Sequence, residues 1–196
     1  GNLGNRIAPP EVAGRLVTHH TASHYASVAI LAALEARETT GRGQHIDVSN
    51  CDAVVGVAYD GAPDPFLTGR SPAWNLYDTQ DGGQIVVGAR DEAAWGALCT
   101  ALDRPQWAAA FADEGRWDAV RAELQAVLRE RTREDWWAFF RNAGVPAAPV
   151  LSIDEAAADP QVKHREMLVE VDVPRESTKT VQYGISMKLH GTPGSI

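Results

Sequence analysis

The segment that most restricts this chain is "WNLYDTQDGGQIVVGA", Trp74 to Ala89. Two runs of aromatic and β-branched residues flank Asp81-Gly82. That dipeptide between apolar runs is the strongest short-range signal for a β-hairpin. Helical patterns follow in "DEAAWGALCTAL", "PQWAAAFA" and "GRWDAVRAELQAVLRERT". In the last, Trp117, Val120, Leu124, Val127 and Leu128 form one apolar stripe. Thr132 is placed to cap "REDWWAFFRNA", which Gly144 and Pro146 close. "APVLS" reads as a short strand, and Ser152 with Glu155 makes a capping-box pattern. "EMLVEVDVP" and "KTVQYGISMKL" read as two strands with a polar turn between them.

Upstream the pattern changes. Residues 1 to 15 are rich in Gly, Pro and Asn and read as extended loop. From about Thr21 to Glu38, Tyr25, Ala26, Ala29, Ile30, Ala33 and Leu34 recur at helical spacing, and Thr39, Thr40 and Gly41 end the helix. "GRGQHIDVS" predicts a tight loop and a short strand with Ile46 and Val48 on one face. "DAVVGVAYDG" reads as a second helix weakened by Gly56, and "APDPFLTGRSP" as loop. Three parts result: 1–60, torn from an α/β layer; 61–170, a small α+β domain whose compact part starts near 70; and 171–196, a segment returning toward the first part.

Composition narrows the function. Net charge is −8, which argues against a nucleic-acid partner or an anionic membrane surface, since both need clustered Lys and Arg. A small anionic ligand needs only a local positive pocket. No apolar run reaches membrane length. Cys51 and Cys99 sit in no metal or redox spacing and read as buried free thiols of a reducing, cytoplasmic protein.

Three histidines, His19, His20 and His24, crowd the start of the first long helix. His20 and His24, four apart, share a helix face, a spacing that suits a metal, but no third ligand accompanies them, and no metal site is expected. A helix start is electropositive, which lowers the pKa of a histidine there and favours neutral imidazole, a competent general base. The plainer alternative is a pair of exposed polar residues at a helix entrance. Asp91 stands between a strand and a helix, where its default role is N-cap. "GRGQ" at 41–44 lacks the spacing of a phosphate loop. Trp136, Trp137, Phe139 and Phe140 read as core or interface rather than a ligand cage.

Four phrases in order resemble the family III CoA-transferases, a group that includes the α-methylacyl-CoA racemases: "ILAALEARETTGRGQHIDVSNCDAVV", "YDTQDGGQIVVGARDEAAW", "RNAGVPAAPVLSIDEAAADPQVKHREMLVEVDVP" and "GTPGSI". The resemblance runs from about Gly14 to the end. It implies an α/β fold: part of a Rossmann-like large domain plus a small α+β domain, in chains that interlock as dimers. It also implies that an N-terminal CoA-binding half, and a stretch after "TPGSI", lie outside this sequence, and that the loop between Val55 and Ser71 is short for the family. The implied activity is CoA transfer between an acyl-CoA and a carboxylic acid, with no cofactor beyond the CoA thioester as substrate. The implied partner is a second family III chain, in a homodimer or heterodimer.

The resemblance places the transferases' nucleophilic aspartate at His19, counted back from Ile30. No Asp or Glu stands between Glu11 and Glu35. A carboxylate can attack a thioester and then hold CoA as its own thioester. An imidazole gives an acyl-imidazole instead, and cannot pass CoA along that route. It can still remove an α-proton. "GARD" puts Asp91 where the racemases carry a glutamate near the site. His19, His20 and Asp91 are therefore the candidate reacting groups. Proton transfer at the α-carbon stands as an alternative activity, and a non-catalytic or truncated subunit as another.

Overall fold

The computed structural model describes residues 2–3, 11–12, 17–58, 69–173 and 178–196. The readings made for 4–10, 13–16, 59–68 and 174–177, including most of the short loop before Ser71, lie outside the described residues. Within the expected N-terminal loop, β1 (Asn2–Leu3) pairs antiparallel with β2 (Glu11–Val12).

The hairpin forms as its sequence requires. β3 (Trp74–Asp78) pairs antiparallel with β4 (Gln84–Gly88), and Tyr77 lies opposite Ile85. Gly82 takes the turn's left-handed position, with φ 76°. The Thr79 hydroxyl donates to Asp81 Oδ1 at 2.6 Å, and Thr79 N–H donates to the Gly83 carbonyl at 2.9 Å. β5 (Ala147–Pro149) adds a third, antiparallel strand on β4. Every strand pairing among the described residues is antiparallel. Period-two alternation turns Tyr77, Ile85 and Val87 inward.

Helices cover that inner face. They are α3 (Glu92–Ala101), α4 (Trp117–Leu128) and α5 (Arg133–Ala143), with a 3-10 stretch at Pro105–Phe111. The stripe on α4 is buried as expected at Trp117, Val120, Leu124 and Leu128, with Val127 packed at its edge. "PQWAAAFA" was expected to be an α-helix and is 3-10 instead. Its two buried residues, Trp107 and Ala110, are three apart, which suits a three-residue turn. Four tryptophans anchor this core, and each indole N–H is satisfied. Trp95 donates to Trp107 O at 3.0 Å, Trp107 to Glu123 Oε2 at 2.7 Å, Trp117 to Ala110 O at 2.7 Å and Trp136 to Leu128 O at 2.8 Å. A buried indole without such a partner would leave its N–H desolvated. Trp136 stacks on Phe140 with centroids 5.3 Å apart and Phe139 packs against them, so these three belong to the core, whereas Trp137 is half-buried outside it.

The caps also match the sequence. Thr132 accepts from Asp135 N–H, and Gly144 closes α5 with φ 68°. Ser152 and Glu155 complete a capping box on α6 (Ile153–Ala158). α7 (Pro160–His164) leads into β6 (Leu168–Asp172), which pairs antiparallel with β7 (Lys179–Tyr183).

The first helices differ from expectation in their packing. α1 runs Val17–Thr40 and packs against α2 (Asn50–Ala58). Gly56 has a role there, because a Cβ on it would meet Tyr25 Oη at 3.0 Å. Yet only Ala22 of α1 is buried, and Tyr25, Val28, Ile30, Leu31 and Leu34 are exposed. The helical period is real, but among the described residues little besides α2 covers that face. The strand expected after Gly43 is not formed: 42–49 have no regular structure. Ile46 and Val48 are both half-buried, but a strand also needs a ladder partner, and none lies alongside among the described residues. Cys99 is buried and free, and burial pushes its thiol up to about 11. Cys51, expected to be buried, is exposed, on the outer side of α2.

Candidate functional site

α1 carries three histidines on its first two turns. Its first turn holds no acidic side chain. Hydroxyls line the same stretch and bond back along the helix, Thr21 to Val17 O at 2.9 Å and Ser23 to His19 O at 2.8 Å. These bonds satisfy the hydroxyls without using the imidazoles.

The three imidazoles sit in different surroundings. His19 is exposed, and its Nδ1 lies 3.2 Å from the Thr18 hydroxyl. His24 is exposed one turn further on. His20, exposed as well, borders a groove of about 620 Å³, formed where α1 meets α6, α7 and the β6–β7 hairpin. Ile153, Ala156, Val162, Met167, Leu168 and Tyr183 make most of the rest of that wall. Among the described residues, no Arg, Lys, Asp or Glu lines it. An apolar groove of this size lies in the range that small ligands occupy, and among the described residues His20 brings the one nitrogen-bearing side chain to its lining.

Asp91 is elsewhere. It is the N-cap of α3, and its Oδ1 accepts from Ala94 N–H at 2.8 Å. Neither His19 nor Asp91 lines the groove that His20 lines. Among the described residues, no hydrogen bond or ion pair joins His19 or His20 to Asp91. The structure thus separates the three candidates: His20 in a groove, His19 beside it on the helix, and Asp91 at a helix cap. No group of three or more His, Cys, Asp or Glu is placed to hold a metal among the described residues. No helix among them is long and apolar enough to cross a membrane.

The groove wall from α6 to β7 was invisible in the sequence. Its members are ordinary apolar residues, and only the fold brings Tyr183 and Ile153 to His20. α6 is fixed from outside the groove. Arg133, at the start of α5, donates to Val150 O at 2.7 Å and forms an ion pair with Glu155. That guanidinium, with the Ser152 N–H, holds the Glu155 carboxyl down at about 2. The clamp ties the groove's α6 wall to the hairpin core.

The chain is similar to characterised CoA-transferases. It is 30% identical to a succinyl-CoA:mesaconate CoA-transferase from Haloarcula marismortui over 96% of this chain and 51% of that protein. It is 28% identical to an acetyl-CoA:oxalate CoA-transferase from Acetobacter aceti over 94% of this chain and 52% of that one. Among solved structures, a CAIB/BAIF family protein from Brucella suis aligns with a TM-score of 0.64 at 27% identity, covering 92% of this chain and 54% of its own. The M. tuberculosis protein Rv3272 aligns with a TM-score of 0.80 at 20% identity, and so shows the fold alone; 99% of this chain and 55% of that one are covered. The chain spans about half the length of the curated relatives it matches. The model described as CoA-transferase family III matches residues 3–196, and the chain belongs to that family.

Proposed function

We propose that this chain works in acyl-CoA chemistry, as part of an assembly that moves CoA between an acyl-CoA and a carboxylic acid. The observation that carries this reading is the groove at the first turn of α1, within a chain matched to the family over residues 3–196. The pantetheine arm of CoA is a narrow chain of amides and methylenes, and an apolar groove of this size suits it. The named reactions of the Haloarcula and Acetobacter relatives are of this type.

In such a transfer an enzyme carboxylate attacks the thioester carbonyl, the C–S bond breaks, and CoA departs as a thiolate to leave a mixed anhydride of the enzyme and the acyl group. The thiolate then attacks the enzyme's own acyl carbon and releases the first acid. The acceptor carboxylate repeats both steps in reverse order and regenerates the enzyme carboxylate. This route needs a carboxylate at the groove, which a partner chain or a further segment would supply. The expected interlocked partner, a second copy or another family III chain, fits the apolar face of α1 that the described residues leave open.

One observation favours a second reading. With no acid in the first turn of α1 and His20 in the groove, the imidazole is suited to remove a proton from the carbon next to the thioester carbonyl. Return of a proton to the opposite face of that carbon from a second acid completes an epimerisation, with no transfer of CoA. A non-catalytic subunit beside a complete partner is the remaining alternative.

Two labels separate these readings in the native assembly. Hydroxylamine trapping of an acidic residue as its hydroxamate in the presence of acyl-CoA supports transfer. Release of α-deuterium from a 2-methylacyl-CoA into water supports epimerisation. Label retained with no hydroxamate formed rules out both. Turnover unchanged both by His20→Ala and by Ala156→Trp, which would fill the groove, leaves this chain a silent subunit, and intact mass with sedimentation gives the assembly's composition.

A further inference from the structure

A second cavity lies on the other side of the groove wall. The link from α7 into β6 lines both: Val162, Met167 and Leu168 face the apolar groove, whereas His164, Arg165 and Glu166 border a separate pocket of about 380 Å³. The chain after β7 closes that pocket with Lys188 and His190, above an apolar rim that includes Ile185 and Pro193.

The closure is built tightly. Gly184 N–H donates to Met167 O at 2.9 Å, and a Cβ on Gly184 would overlap the Glu166 carbonyl oxygen. A Cβ on Gly194 would meet Ile185 Cδ1 at 2.7 Å. Glu166 holds a left-handed backbone with φ 51°, a conformation that costs a non-glycine residue about 1 kcal/mol or more. The close approaches at Gly184 and Gly194, with the turn at Glu166, hold two basic stretches, 163–165 and 188–190, around one space.

The charges there are uncommitted. Among the described residues, no carboxylate pairs with Arg165 or Lys188, and neither imidazole has a hydrogen-bond partner. Most other arginines of the described chain are paired. Among the described residues, one carboxylate, Glu166, shares the rim. Two fixed cations and two imidazoles against one acid form a local reversal of sign in a chain of net charge −8.

We propose that this pocket is an anion site that takes a phosphate group. A guanidinium fork, an ammonium and two imidazole N–H donors are the set that recognises phosphate oxygens. The volume lies in the range of small-ligand pockets, about 300–1,000 Å³. The phosphate could belong to free inorganic diphosphate or to the nucleotide end of a CoA-type molecule, and the two sources are separable.

The test is titration of the full chain with inorganic pyrophosphate and, separately, with adenosine 3′,5′-bisphosphate. Binding is followed by calorimetry and by amide shifts. Arg165→Gln and Lys188→Gln should each weaken pyrophosphate about tenfold, the size of one charge-assisted contact. Glu166→Gln should tighten it several-fold, because it removes the one repelling charge. A misfolded variant would not bind more tightly, so the opposite signs guard against loss of fold. Tighter binding of the adenosine compound assigns the site to a nucleotide, and equal binding assigns it to the free anion. Affinity unchanged in both cation variants, weaker binding in Glu166→Gln, or shifts spread evenly over the surface would overturn the proposal.

Discussion

Trp136→Phe tests the core that holds the groove's α6 wall in place. The indole lies under α4, stacks on Phe140 at 5.3 Å, and its N–H donates to Leu128 O at 2.8 Å. Leu128 is the last residue of α4, so α5 supplies a donor to a carbonyl that the helix itself leaves open. Phenylalanine keeps the ring and much of the stacking but removes the donor. A buried carbonyl left unsatisfied costs about 1–3 kcal/mol. The smaller ring leaves a void of roughly 40 Å³, worth about 1 kcal/mol at ~24 cal/mol per Å³. The sum is about 2–4 kcal/mol, or a fall in Tm of roughly 5–15 °C for a chain of this size. Urea and thermal unfolding followed by circular dichroism at 222 nm would measure it. A loss under about 1 kcal/mol with an unchanged m-value would refute the reasoning, since the Leu128 carbonyl would then be finding water rather than depending on the indole.

Three further outcomes follow from particular contacts. The Arg133 hydrogen bond, first, and the Ser152 N–H hold the Glu155 carboxyl at about 2, below its ordinary 4.5. Its folded pKa is depressed, so its contribution to stability is complete above about 4.5 and is lost as pH falls toward about 2; Arg133→Met should flatten that part of a stability-versus-pH curve, and an unchanged curve would show that the pair is not formed in solution. Asp91→Ala should destabilise by about 0.5–2 kcal/mol through loss of the α3 cap, with Asp91→Asn largely restoring it; if activity falls far more than stability and Asn does not restore it, the carboxylate has a chemical role that its capping position does not predict. Gly184→Ala should shift amide resonances of both Met167 and Lys188 and speed hydrogen exchange in β6 and β7, because its Cβ would overlap the Glu166 carbonyl; unperturbed spectra would mean that the chain does not pass so close.

The sequence by itself determined whatever depends on neighbours within a turn or a hairpin. The Asp81-Gly82 turn, the α4 stripe, the Thr132 and Ser152 caps and the capping role of Asp91 are set by local hydrogen bonds and by periods of two and 3.6 residues, and all appear in the structure. Tertiary structure alone decided the rest. Helical spacing on α1 predicts an apolar face but not what covers it, and among the described residues that face stays open. Ile46 and Val48 alternate like a strand, yet a strand is a relation between two segments, and among the described residues no partner lies alongside. His19 and His20 are neighbours in sequence, but only the helix's rotation against α6 and β7 gives the groove to His20. Arg165 and Lys188 look like ordinary surface charges until the bends at Glu166 and Gly184 bring them to one pocket. Short-range bonding fixes elements, whereas a site is a coincidence in space that only packing of distant segments creates.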